Sequence, residues 1–73
     1  MLDVPLDVCA LAPPEPMERV LDALCALAPD ARLAVLIDRQ PHPLLRILDR
    51  NGYRHQLTAR SDRRFDLLIW RAA

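Results

Sequence analysis

The sequence predicts a two-layer α+β domain, a four-stranded mixed sheet of order βαβαββ with two helices on one of its faces. Three observations carry that expectation. Apolar residues alternate near the N-terminus and again near the C-terminus, as on strands with one buried face. Two stretches carry an apolar stripe at helical spacing, each opened by closely spaced prolines. Between them lies a continuous apolar run too short for a helix of its own and suited to a central strand.

Val4, Leu6 and Val8 alternate with Pro5 and Asp7, and Pro5, which has no N–H to donate, confines this first strand to an edge or to its opening residues. From Pro16 the positions Met17, Val20, Leu21, Leu24 and Ala28 follow a helix face. Pro16 suits the first helical turn, Glu15 and Glu18 complement the positive end of the dipole, and Pro29-Asp30 stops the run. Leu33-Ala34-Val35-Leu36-Ile37 is the second strand. After Pro41 and Pro43, the residues Leu44, Ile47 and Leu48 recur at helical spacing until Asn51-Gly52, where glycine accepts positive φ. Tyr53, His55, Leu57 and Ala59 then alternate with polar residues, as do Phe65, Leu67 and Ile69 with Asp66, Leu68 and Trp70, across Ser61-Asp62-Arg63. This pattern reads as a hairpin. The right-handed crossover rule makes the first two strands parallel neighbours or near-neighbours and puts both helices on one face. The expected core joins Leu21 and Leu24 to Val35, Ile37 and Leu67. The other face would carry Leu68 and Trp70 with Arg54, Gln56 and Thr58.

The 73 residues leave room for one domain, 1–73, with a single core. Ten basic residues balance ten acidic ones, which removes the general attraction expected of a nucleic-acid or membrane-surface protein. The balance is uneven along the chain: acids dominate through Asp30 and arginines from Arg32 onward. Nothing approaches the ~18 apolar residues of a membrane span, and Asp3 and Asp7 stand where a signal peptide needs positive charge. A cytoplasmic chain with no membrane partner is expected. There is no Gly-rich phosphate loop, no paired nucleophile and base, and no zinc or redox spacing between Cys9 and Cys25. Neither ordinary enzymatic activity nor a cofactor is expected.

Leu6-Asp7-Val8, the Pro13-Pro14-Glu15-Pro16 helix start, Leu36-Ile37-Asp38 ahead of a proline-rich loop and the final Ile69-Trp70-Arg71 together resemble the SirA/TusA-like superfamily. More narrowly, Asp38-Arg39-Gln40-Pro41-His42-Pro43-Leu44 as a second element resembles a family of small bacterial domains of unknown function within that group. The superfamily's sulfur carriers begin the first helix Cys-Pro-x-Pro, where the helix N-terminus stabilises the thiolate that accepts sulfur. In this chain Pro14 and Pro16 match the two prolines, and Pro13 falls on the cysteine. The resemblance therefore implies the fold without the persulfide chemistry.

Other residues are weighed on their own surroundings. Cys9, four residues before Pro13, is a conceivable substitute thiol, although a lone cysteine after a strand is usually a small hydrophobe. Cys25, beside Leu21 and Leu24, is expected to be buried and inert. His42, between two prolines at the second helix start, would share a rim with Cys9, Asp7 and Asp38, a set that could meet a metal, while a histidine in a polar loop is ordinarily solvated. His55 should be half-buried and hydrogen-bonded. Arg39 beside Asp38 could hold an anion or simply be a surface arginine, and the dipole accounts for Glu15 without catalysis. The sequence thus favours a non-catalytic binding or regulatory module. Its surface for a protein partner or small ligand would comprise Cys9, Pro13, Pro14, Glu15, Asp38, Arg39, His42 and Trp70. The rivals are a sulfur carrier or redox relay using Cys9, and an RNA-binding domain using Arg54, Arg60, Arg63 and Arg64, against which aromatic stacking residues on the strands are scarce and the net charge is zero. Trp70 and Leu68, straddling Ile69, leave the chain a monomer or a weak dimer.

Overall fold

A computed structural model describes residues 2–72. The elements follow the expected order: β1 (Leu2–Asp7), α1 (Glu15–Ala26), β2 (Ala31–Ile37), α2 (His42–Arg50), β3 (Tyr53–Ala59) and β4 (Phe65–Arg71). They build one mixed sheet of strand order β1-β2-β4-β3. β1 runs parallel to β2 with Leu6 opposite Val35, and β4 runs antiparallel to both β2 and β3. Pro5 is tolerated because β1 is an edge strand, where one side of the backbone has no ladder to supply.

The core lies on one face of this sheet. Leu33, Val35 and Ile37 of β2 and Leu67 and Ile69 of β4 meet Val20 and Leu24 of α1 and Leu44 and Leu48 of α2 in a single buried cluster closed by Val8. Both helices therefore cover the same side, and Arg54, Gln56, Thr58, Leu68 and Trp70 alternate onto the other. In β2 every second residue is buried, from Ala31 to Ile37, as the period of a central strand requires.

The two helix starts are built alike. Pro14 and Pro41 stand at the N-cap, Pro16 and Pro43 at the second helical position, and neither cap makes a side-chain hydrogen bond. The second-position proline removes one of the N–H groups that a capping side chain would otherwise satisfy. The remaining first-turn bonds come from the backbone: the Glu18 N–H donates to the Pro14 carbonyl at 3.2 Å and the Leu45 N–H to the Pro41 carbonyl at 3.0 Å. The Pro13-Pro14 peptide is cis. At the end of α2 the Asn51 amide donates to the Ile47 carbonyl at 2.7 Å, and Gly52 turns the chain at φ 78°.

Three expectations on α1 need correction. The helix ends at Ala26, so Ala28 lies beyond it and is exposed, and Leu27 closes the last turn by donating to the Leu24 carbonyl. The buried stripe centres on Val20 and Leu24, leaving Leu21 only half-buried. Cys25 is exposed. At about 100° per residue it sits roughly 140° from Val20, off the stripe altogether, whereas Leu21 lies about 60° from Leu24 and keeps partial contact.

Candidate functional site

Because β1 and β2 are parallel and both lead into helices on the same side, the two helix starts emerge side by side at the C-terminal ends of these strands. A groove of about 260 Å³ lies between them. Pro13, Pro14, Pro16 and Met17 form one wall, Pro41, Pro43 and Leu44 the other, and Leu11 and Ile37 contribute between them. Asp38, Arg39 and Gln40 supply its polar lip. Five of the seven prolines in the chain thus line a single apolar groove. Proline fixes φ, so these walls are stiff before anything binds.

A polar cluster braces the same rim from behind. The Cys9 N–H donates to Asp7 Oδ1 at 2.9 Å, and the Ala10 N–H donates to Asp38 Oδ2 at 3.0 Å. Ala10 sits at φ 66°, a left-handed conformation that an L side chain resists, and the Asp38 carboxylate holds it there. The bond from Cys9 lowers the Asp7 pKa, and the Arg64 charge adds to the effect. The Cys9 thiol is pushed the opposite way, up from its ordinary value, chiefly by desolvation and then by the adjoining Asp7 carboxylate. Arg64, in the hairpin loop just before β4, approaches this thiol and is itself gripped by Asp62, with Nε 2.9 Å from Oδ2. That pairing brings Asp62 down to about 2.

The expected site residues therefore divide. Pro13, Pro14, Asp38 and Arg39 meet at the groove. Cys9 stands on the same rim, half-buried among Asp7, Asp38 and Arg64, without lining the groove. Glu15 turns to an i,i+4 pair with Arg19 at 3.5 Å, and His42 is exposed in the first turn of α2. Trp70 belongs to the uncovered sheet face, cross-strand from Arg54. Among the described residues no group of three histidine, cysteine, aspartate or glutamate side chains is placed to hold a metal ion. His55 meets its expectation, half-buried with Nε2 3.0 Å from Asp49 Oδ1. No pattern in the chain pointed to Arg64 and Asp62 at Cys9, because only the sheet order brings the hairpin loop to the end of β1. Leu11, Met17 and Leu44 were legible as apolar residues but not as groove walls.

A second hollow, about 590 Å³, separates the C-terminal halves of the helices, where Leu21 and Ile47 line an open gap with Cys25, Tyr53 and Arg71. No helix among the described residues is long and apolar enough to cross a membrane.

A family model described as an uncharacterized conserved protein, DUF2249, matches residues 5–71, and the chain belongs to that family. No curated protein and no solved structure matches.

Proposed function

For this member of an uncharacterised family, we propose a non-catalytic binding module that receives an apolar side chain of a protein partner in the groove between its two helix starts. The observation that carries the reading is the convergence of five prolines with Leu11, Met17 and Leu44 on one apolar hollow. Rigid walls lower the ordering cost of binding. The size favours a protein over a small-molecule ligand, since about 260 Å³ lies below the ~300–1,000 Å³ typical of small-ligand sites and suits one or two anchoring side chains. Asp38, Arg39 and Gln40 at the lip would fix the orientation of the partner's backbone. A relationship to the SirA/TusA-like superfamily is part of the same reading, supported by the βαβαββ order and the Pro13-Pro14-Glu15-Pro16 helix start. So is a cytoplasmic setting, with which two free cysteines are consistent.

The test is selection from an unbiased displayed-peptide library on the native chain, followed by methyl NMR with a selected peptide. Enriched sequences should share an apolar anchor, move the methyl signals of Leu11, Met17 and Leu44, and lose binding to Gln40→Trp, whose indole would cover the groove. Shifts confined to other surfaces, or no enrichment, would refute the proposal.

Transfer of sulfur through Cys9 is the weaker reading. It needs a thiolate at neutral pH, and desolvation together with Asp7 favours the protonated thiol instead. Incubation with a cysteine desulfurase and cysteine, followed by mass spectrometry, decides it: one added sulfur on Cys9 would displace the binding proposal. RNA binding is weaker again, because Arg60 and Arg64 are engaged by Asp62 and Asp66.

A further inference from the structure

The sheet face opposite the helices has no covering layer within the described residues, and its charge pattern is self-complementary. Asp3 and Arg32 are cross-strand partners on β1 and β2, with Arg32 Nε donating to Asp3 Oδ1 at 2.7 Å, and Arg54 and Trp70 are partners on β3 and β4. Leu33 lies opposite Ile69, so the next rung sets Arg32 beside Trp70. One end of the face thus reads Asp3, Arg32, Trp70, Arg54 across the sheet. The middle rung reads Pro5, Ala34, Leu68, Gln56, as the pairings of Pro5 with Ala34, Ala34 with Leu68 and Gln56 with Leu68 require. The two edges differ in charge. β1 presents Asp3 and Asp7 here and no base, while β3 presents Arg54 with Gln56 and Thr58 and no acid. Arg54 has no carboxylate partner among the described residues, and a hollow of about 310 Å³ dents the face between Ala34, Leu36, Leu68 and Gln56.

We propose that a second copy of this chain covers the face, related by a two-fold axis parallel to the strands. That axis lays β1 of one copy across β3 of the other. Asp3 then meets Arg54 of the second copy, Arg32 meets its Trp70 in a cation–π contact, and Ala34 meets its Leu68, with every contact made twice. Pro5 of the second copy falls above Gln56, at the edge of the hollow. The alternative two-fold, perpendicular to the strands, would set Asp3 on Asp7 and leave Arg54 without an acid, so charge selects the first. Face-to-face sheets pack in this aligned manner, turned by about 30°. The face spans about 19 Å across four strands and about 20 Å along them, so the contact buries on the order of 800 Å² in total. That lies below the ~1,200–2,000 Å² of a stable specific interface, in the range of transient association, and the dimer is correspondingly weak. This surface is remote from the groove between the helix starts, and neither proposal depends on the other.

Sedimentation of the native chain from micromolar to millimolar concentration should show reversible dimerisation. Asp3→Arg and Arg54→Glu, each alone, should weaken it by at least about tenfold, since each reverses two symmetry-related contacts. Mixing the two variants should restore dimerisation as a heterodimer. The cation introduced by Asp3→Arg on one copy then meets the anion introduced by Arg54→Glu on the other, while the native Arg54 of the first still pairs with the native Asp3 of the second. Trp70→Ala should weaken association without being rescued by mixing. Both charged positions are exposed, and thermal melts of each variant verify folding. A native chain that stays monomeric to millimolar concentration overturns the proposal and leaves the face to a different protein. Dimerisation that charge reversal leaves unchanged, or that mixing fails to rescue, assigns it to another surface and overturns the proposal equally.

Discussion

Arg64 ties the hairpin to the rim through two neighbours of opposite behaviour. It brings Asp62 from the ordinary 3.8 down to about 2, and it approaches a Cys9 thiol whose own shift, set by desolvation and Asp7, is upward. A carboxyl that binds its proton less tightly when folded stabilises the fold in its ionised form. The Asp62 contribution is therefore complete above 3.8 and is lost as pH falls through about 2. Carbon-detected NMR titration should place the Asp62 midpoint near 2, and Arg64→Ala should return it toward 3.8; an unshifted native midpoint would remove the pair. The cysteines give a second expectation at this scale. With Cys25 exposed and Cys9 half-buried and held as a thiol, iodoacetamide at mildly alkaline pH should label Cys25 first, as read by peptide mass spectrometry. Faster labelling of Cys9 would mean that the thiolate is stabilised after all, and would revive the sulfur-carrier reading. The exposure of Cys25 was not legible in the chain, because it follows Leu24 directly and looks apolar by association. The carboxylates beside Cys9 were, since parallel first strands put Asp7 and Asp38 on its rim, whereas Arg64 arrives only through the sheet order.

At the level of elements, periodicity carried most of the information. Alternation in β2 and β4 located their buried residues because a strand has two faces and one of them is covered. A helix stripe is broader, and the sequence does not say which of three adjoining columns points at the sheet. For α1 the column is Val20 and Leu24, with Leu21 facing the gap toward Ile47. Leu24→Ala should therefore cost ~2–5 kcal/mol, comparable to the ~3–5 kcal/mol such a domain has in reserve. Leu21→Ala should cost distinctly less and leave a measurable thermal transition. Equal losses in the two melts would put Leu21 back in the core. The proline pairs were visible as helix starts from their spacing alone. That they share one rim followed from the crossover rule; that they enclose an apolar groove did not, because it depends on β1 and β2 being immediate neighbours.

For the molecule as a whole, the sheet order β1-β2-β4-β3 distributes stability unequally. β2 and β4 are paired on both sides and hold Leu33, Val35, Ile37, Leu67 and Ile69, all buried. β1 is paired on one side only, is interrupted by Pro5, and joins α1 through a loop held by the hydrogen bonds to Asp7 and Asp38. Local opening should begin at this edge, where the fewest contacts must break, and the central pair should open only with global unfolding. Native-state hydrogen exchange tests this through the amides of Leu33–Ile37 and Leu67–Ile69, which should be the slowest to exchange, with those of β1 and the Cys9–Ala12 loop among the fastest. The consequence reaches both proposed surfaces. The groove wall formed by Pro13, Pro14 and Pro16 hangs from the less protected unit, whereas the wall formed by Pro41 and Pro43 follows directly from β2. A partner seated in the groove would join the two walls and slow exchange in β1 and its loop, while a second copy on the open face would protect the Asp3 and Arg54 edges and leave that loop unchanged. If β1 exchanges as slowly as β2 in the free chain at micromolar concentration, the edge is as stable as the centre, and the unequal distribution argued from the sheet order is refuted.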